Sequence, residues 1–124
     1  MRYNRTVWKV EYTDEFNVWW ETLTADQQEA VRTSVAILRE DGPSLGRPHV
    51  DTVKGSRHAQ MKELRTQYRG RPLRTFFAFD PRRSAILLIG GDKTGKNRFY
   101  EEMLPIADRL YDEYLQELKN EGLI

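Results

Sequence analysis

The 124-residue chain has no cysteine, so it can form neither disulfides nor thiolate metal sites. That fits a reducing cytoplasm. No run of about 18 apolar residues occurs, which removes a transmembrane helix. The opening stretch MRYNRTVWKV lacks the apolar core of a secretory signal. Internal repeats and low-complexity segments are also absent, and histidine is limited to His49 and His58. The expectation is a single soluble, cytoplasmic domain over residues 1–124, long enough to fold around its own core.

Charge is plentiful and unevenly placed. The formal net charge is only +1, but Ser44 to Arg98 holds 13 Lys and Arg against 4 acids, a local +9. The remainder carries 7 basic and 15 acidic residues, a local −8. A basic block between acidic segments reads as an electrostatic footprint for a polyanion or an acidic partner.

Hydrophobic periodicity divides the chain. TVWKVEY, residues 6–12, alternates and is rich in β-branched and aromatic residues, so it reads as a half-buried strand. Thr13 or Asp14 then caps a short helix with Phe16, Trp19, Trp20 and Leu23 at helical spacing. Thr24 and Gln27 make a capping box for a second helix that buries Val31, Val35 and Leu38 and stops at Gly42-Pro43. Ser44 to Gln60 shows no period and reads as a long basic loop. MKELRTQY, RPLRTFFAF and SAILLIGG follow as an antiparallel meander. Residues 97–124 form a long amphipathic helix with Met103, Ala107, Leu110, Tyr114 and Leu118 in register, Pro105 marking its start or a kink. The order β-α-α-β-β-β-α predicts an α+β fold whose helices cover one face of a sheet and leave the other open.

LLIGGDKTGKNRF, residues 87–99, comes close to a phosphate-binding P-loop. Asn97, however, stands where a magnesium-binding Ser or Thr belongs, and only 27 residues follow it, too few for the parallel strands such a domain needs. No nucleotide cofactor and no metal are expected. The glycines and lysines at this strand end need another explanation.

The meander supplies one. If Arg69-Gly70 is a two-residue turn, Leu64 pairs with Thr75, Thr66 with Leu73 and Lys62 with Phe77 on the more apolar face. Arg65 then lies opposite Arg74, and Glu63 opposite Phe76, on the other face. Opposed like charges destabilise a sheet unless something negative lies between them: Glu63, or an incoming anion. Lys93, Lys96 and Arg98 end the third strand of the meander, and Lys54, Arg57 and His58 precede its first. Such a patch suits phosphodiester binding, Arg by bidentate contacts and Lys as a point charge. His58 and His49 are candidates for proton transfer near neutral pH, or loop residues that only cap and solvate. Glu63 is a candidate base or a salt-bridge partner.

The strings LGRPHVDTVKGSRHAQMKELR and GRPLRTFFAFDPRRSAILLIGGDKTGKNRFYEEMLPIADRLYDEYL, with the helix pair before them, closely resemble the HigB-like, phage-related branch of the RelE/ParE toxin superfamily. The resemblance covers nearly the whole chain. It implies two N-terminal helices and a C-terminal helix packed on an antiparallel-rich sheet. It implies the toxin of a type II toxin-antitoxin system, a ribosome-dependent, metal-free mRNA endoribonuclease neutralised by a HigA-like helix-turn-helix antitoxin. Ribosome and mRNA are then partners; membranes are not. On this resemblance Arg65 and Arg74 match strand arginines that stabilise phosphate, with Lys62 beside them, and Tyr100 matches an aromatic near the nucleophile or a base. Lys54 matches a basic position, while Lys93, Lys96 and Arg98 would hold phosphates. The His and Asp pair that some members use near the C-terminus is lacking after Arg98. Alternatives are a ParE-like gyrase inhibitor and a non-catalytic RNA-binding module with Phe76 and Tyr100 as stacking surfaces.

Overall fold

The computed structural model describes residues 7–124. The first strand is β1, Lys9–Tyr12; residue 6 of its expected range lies outside the described residues. Thr13 caps α1, Asp14–Glu21: its hydroxyl accepts the Phe16 N–H at 2.9 Å and donates to the Leu88 carbonyl at 2.6 Å. One side chain therefore both starts the helix and fastens it to the sheet. The Thr24–Gln27 capping box forms in both directions, at 3.2 and 2.9 Å, and opens α2, Ala25–Asp41. Gly42, at φ 58°, ends it against the Trp8 ring, which leaves no room for a Cβ.

The expected long loop is not all loop. Val50–Thr52 forms β2, an edge strand antiparallel to β3, Lys62–Tyr68. Three residues, two of them polar, are too few to show a period. Then come β4, Arg71–Asp80, and β5, Ser84–Asp92, and finally α3, Phe99–Asn120, which carries Pro105 within it. The sheet has five strands in the order β1-β5-β4-β3-β2, antiparallel except where β1 runs parallel to β5.

Helices lie on both faces, not on one. Phe16 of α1 and Leu38 of α2 pack with Val50, Leu64, Phe77 and Leu87 on one side of the sheet. On the other, Phe99, Leu104, Ala107 and Leu110 of α3 pack on Phe76, Ala78, Ile86 and Leu88. The central strands β4 and β5 therefore carry continuous apolar runs, Phe76 to Phe79 and Ala85 to Ile89, where both faces are covered. A register shift between Phe76 and Phe77 inserts an extra residue in β5 and keeps Leu88 on the α3 side. Gly90 and Gly91 serve the packing of helices on this strand: a Cβ on Gly90 would meet the Trp19 ring at 2.3 Å, and one on Gly91 the Phe99 ring at 2.8 Å. That is the use of the paired glycines that imitate a P-loop.

A polar network ties β1, the β4–β5 turn and α3. The Tyr114 hydroxyl lies 2.5 Å from Asp80 Oδ2 and 2.8 Å from Glu11 Oε2, and Arg82 Nη2 donates to all three groups. Burial, then the bonds to Asp80 and Glu11, raise the Tyr114 phenol well above the ordinary tyrosine range. A raised value means the folded chain holds the proton more tightly than the unfolded one. This contribution is full below the unfolded tyrosine value and is lost as pH climbs through the folded value. Tyr114→Phe is expected to cost about 1–3 kcal/mol at neutral pH. Urea melts at neutral and alkaline pH should also show a shallower alkaline decline in the variant.

Candidate functional site

The β3–β4 hairpin sets the site. Arg69 and Gly70 take φ of 46° and 78°, both left-handed, the geometry of the tight turn that matches strand twist. The register follows as the sequence predicts: Arg65 faces Arg74, Glu63 faces Phe76, Leu64 faces Thr75 and Lys62 faces Phe77. Alternation then sends Glu63, Arg65 and Arg74 to the α3 side of the sheet. There the helix begins, and its second residue, Tyr100, reaches back over the strands.

The repulsion between the arginines is relieved by a run of alternating charge across three strands. Glu63, 3% exposed, lies between them, with Arg65 Nη2 at 3.1 Å from Oε2 and Arg74 Nε at 3.5 Å from Oε1. Arg65 also reaches Asp51 of β2 at 3.2 Å, and Asp51 takes Arg47 at 2.8 Å. Asp51 is paired directly with Glu63 in the ladder, so Arg65 separates two like charges just as Glu63 separates two others. The hydrogen bond from Arg47 is the main cause holding the Asp51 carboxyl below its ordinary range.

Tyr100 completes the cluster. Its hydroxyl donates to Glu63 Oε1 at 2.6 Å, and Phe76 and Phe99 brace the ring edge-on at 6.1 and 5.3 Å. Lys93 Nζ sits 5.1 Å above the same ring. Burial first, then the bond to and charge of Glu63, raise the phenol above the ordinary tyrosine range, with Arg74 opposing. Arg47, Arg65, Arg74 and Lys93 outnumber Asp51 and Glu63, so the cluster keeps a cationic surplus. Glu101 and Glu102 already occupy the first turn of α3, so that surplus comes from side chains and not from the helix dipole.

The other sequence candidates fall elsewhere. Lys62 alternates to the opposite face, where its Nζ donates to Thr52 Oγ1 at 3.1 Å. Arg57 pairs with Asp112, and His58 Nε2 lies 2.7 Å from the same carboxylate and edge-on to Tyr111. Asp112 is twelve residues beyond Tyr100 on α3, about 18 Å along the axis. His58 is thus a clamp on the helix and is not brought to the arginine pair. Ser56 and the Arg57 N–H bind buried Asp108 beside it, at 2.5 and 3.2 Å. Lys54 is exposed on this loop, and His49 is half-buried beside β2. Lys96 and Arg98 are exposed on the turn after β5, the latter paired with Glu101 at 2.9 Å. That turn is anchored by Asp92, which takes Arg71 at 2.9 Å and Thr94 at 2.5 Å. A groove of about 500 Å³ between β1, α1 and α2, lined by Val10, Phe16, Trp20 and Val35, gathers none of the expected site residues. Among the described residues no group of three or more His, Asp or Glu is placed to hold a metal ion.

Glu63 and Asp51 were the residues hardest to assign in advance. Glu63 was legible as a possible partner of the arginines; Asp51 required knowing that β2 exists. His58→Ala should release the loop between β2 and β3, since it removes a contact to α3 while Asp108 keeps its own. Amide exchange between Val53 and Met61 is expected to quicken by about fivefold, with the β3 and β4 amides unchanged.

Residues 18–112 match the family described as phage-derived protein Gp49-like. Two Mycobacterium tuberculosis proteins that carry the toxin names HigB2 and HigB3 are 41% and 45% identical, over 86% and 78% of this chain. The match spans 54% of the HigB2 length and 84% of HigB3. Among solved structures, a free mutant form of the E. coli toxin RelE aligns over 77% of this chain and 93% of its own, with TM-score 0.54 at 10% identity. The intact E. coli RelBE toxin-antitoxin complex aligns over 68% and 94%, with TM-score 0.51 at 8% identity. Those two likenesses establish the architecture, and the sequence match establishes the kinship: the chain belongs to the phage-derived Gp49-like family and is a HigB-like protein with the RelE toxin fold.

Proposed function

We propose that this chain is the toxin of a type II toxin-antitoxin module and acts as a ribosome-dependent endoribonuclease on mRNA. The observation that carries the reading is the opposed pair Arg65 and Arg74, held with Tyr100 around one buried carboxylate at a cationic rim. In such a site the ribose 2′-oxygen attacks the adjacent phosphorus, the bond to the 5′-oxygen breaks, and a 2′,3′-cyclic phosphate remains. The 2′-hydroxyl gives up a proton and the departing 5′-oxygen takes one. Arg65 and Arg74 are the groups to stabilise the extra negative charge on phosphorus, where donors count most. Lys93 and the exposed Lys96 and Arg98 extend the positive rim along the RNA backbone.

Few groups are assembled here for proton transfer, and the ribosome supplies a reason. If the ribosome holds the mRNA in place, orientation contributes much of the acceleration and the protein adds a charged surface and a hydroxyl. The same reading makes an antitoxin the regulatory partner. The toxin names of the relatives and the fold shared with the RelBE complex support that partner, and the resemblance to HigB-like chains favours a helix-turn-helix type.

The test is a reconstituted translation system with a defined mRNA, its 5′ ends mapped by primer extension, beside the same mRNA without ribosomes. Cuts within codons are expected only with ribosomes. Arg65→Ala and Arg74→Ala should each slow cutting by about a hundredfold. Lys62→Ala and His58→Ala, whose side chains lie away from the cluster, should stay within about threefold of the parent. Intact mRNA from a chain that nonetheless arrests growth would sink the nuclease reading and direct attention to gyrase.

A further inference from the structure

Glu63 has contacts out of proportion to its accessibility. Its side chain is 4% exposed, so RNA cannot reach it, yet groups from two strands and a helix converge on it. Oε1 accepts the Tyr100 hydroxyl at 2.6 Å and lies 3.5 Å from Arg74 Nε. Oε2 accepts Arg65 Nε at 3.3 Å and Nη2 at 3.1 Å. A carboxylate offers about four lone-pair sites, enough for all of these. Arg74 Nε is buried with no closer partner, so Glu63 is also the only anion that compensates it among the described residues.

Each contact restricts what its partner can offer a substrate. The single hydroxyl proton of Tyr100 is committed to Glu63, so the phenolic oxygen has only acceptor capacity left for an incoming group. Arg65 turns its Nε and Nη2 to Glu63 and Asp51, which leaves Nη1 as the nitrogen engaged by neither carboxylate. The ring of Tyr100 is fixed by Phe76, Phe99 and Lys93, so its oxygen cannot swing to another role.

We propose that Glu63 is a positioning residue that aims Arg65, Arg74 and Tyr100 at one phosphodiester, with the Tyr100 oxygen accepting a hydrogen bond from the ribose 2′-hydroxyl. The proposal rests on the nuclease reading for its substrate, but not for the hold of Glu63 on Tyr100. Tyr100 orients the nucleophile and does not remove its proton. Glu63 is buried out of reach of RNA with both carboxylate oxygens already facing Arg65, Arg74 and Tyr100, which argues for aim over proton transfer.

Two variants separate aim from charge. Glu63→Gln keeps the shape and removes the charge; Glu63→Asp keeps the charge and withdraws it by one methylene. In single-turnover cleavage on programmed ribosomes both are expected to be slower by about a hundredfold, with ribosome affinity within about twofold. Adding Tyr100→Phe to Glu63→Gln should slow cleavage no further than Glu63→Gln alone, because without the Glu63 charge the Tyr100 oxygen is already misaimed. Full rate in the Asp variant, or losses that multiply in the double variant, would overturn the proposal. An optical titration of the Tyr100 phenol, taken as the difference between the parent and Tyr100→Phe, needs no cleavage at all. It should ionise above the ordinary tyrosine range in the parent and move down in Glu63→Gln; an unmoved titration overturns the hold on Tyr100. A parent chain that cuts no mRNA fails the nuclease reading and removes the substrate half of the proposal, while the titration still decides the other half. Thermal melts accompany each variant, and if the Gln form does not fold, the Asp form carries both measurements.

Discussion

Two arginines placed face to face by a hairpin turn are the constraint around which this end of the molecule is built. The Arg69-Gly70 turn fixes the register, and the register leaves no choice about Arg65 and Arg74. A sheet tolerates that juxtaposition only if anions are brought to it. Glu63 comes from the same strand as Arg65 and Asp51 from the edge strand beside it, and the Tyr100 hydroxyl, from the start of α3, donates to Glu63. The repulsion thereby ties together β2, the β3–β4 hairpin and the helix across them. Removing one member of a buried charge group leaves the others uncompensated, which costs more than the pair contributes when intact. The cluster is accordingly as much a structural joint as a chemical surface.

The opposite end of α3 provides a contrast. Tyr114 lies fourteen residues beyond Tyr100, close to four full turns, so both point to the same side of the helix about 21 Å apart. Each hydroxyl meets a buried carboxylate that also binds arginine. The charge balance differs. Around Tyr114, Asp80 and Glu11 outnumber Arg82, and Arg82 Nη2 and the Tyr114 hydroxyl are both spent within the network. Around Tyr100 the cations are in excess. Similar parts form a lock at one end and an anion-attracting surface at the other.

The sequence made the local decisions plain. The capping box of α2, the Thr13 cap of α1 and the β3–β4 register all rest on residues adjacent in the chain or on strict alternation, and each is found as the sequence implies. Alternation also placed Lys62 on the apolar face with Phe77, although the family resemblance grouped it with the arginines. Layering was less legible. An amphipathic helix shows that it covers something, not which face of the sheet it takes, and α3 took the face expected to be open. The strand Val50–Thr52 is too short to carry a period, so sequence alone places Asp51 in a loop. Long-range meetings such as Tyr100 with Glu63, or His58 with Asp112, join positions 37 and 54 residues apart, and no local pattern announces them.

The parallel pairing of β1 with β5 governs the order in which the molecule can be assembled. Lys9 finds its ladder partner at Ser84, 75 residues later, whereas the hairpins from β3 to β5 close over short turns. Early in synthesis the first strand and both N-terminal helices therefore emerge without the strand that organises them, and α1 lacks the Leu88 carbonyl that anchors its cap. Such non-local closure is slow compared with local pairing. A growing chain has no sheet to receive β1 until Asp92 is in place, and no cluster around Glu63 until Tyr100 follows. Whatever the finished surface does, a nascent chain lacks it until α3 has begun to form.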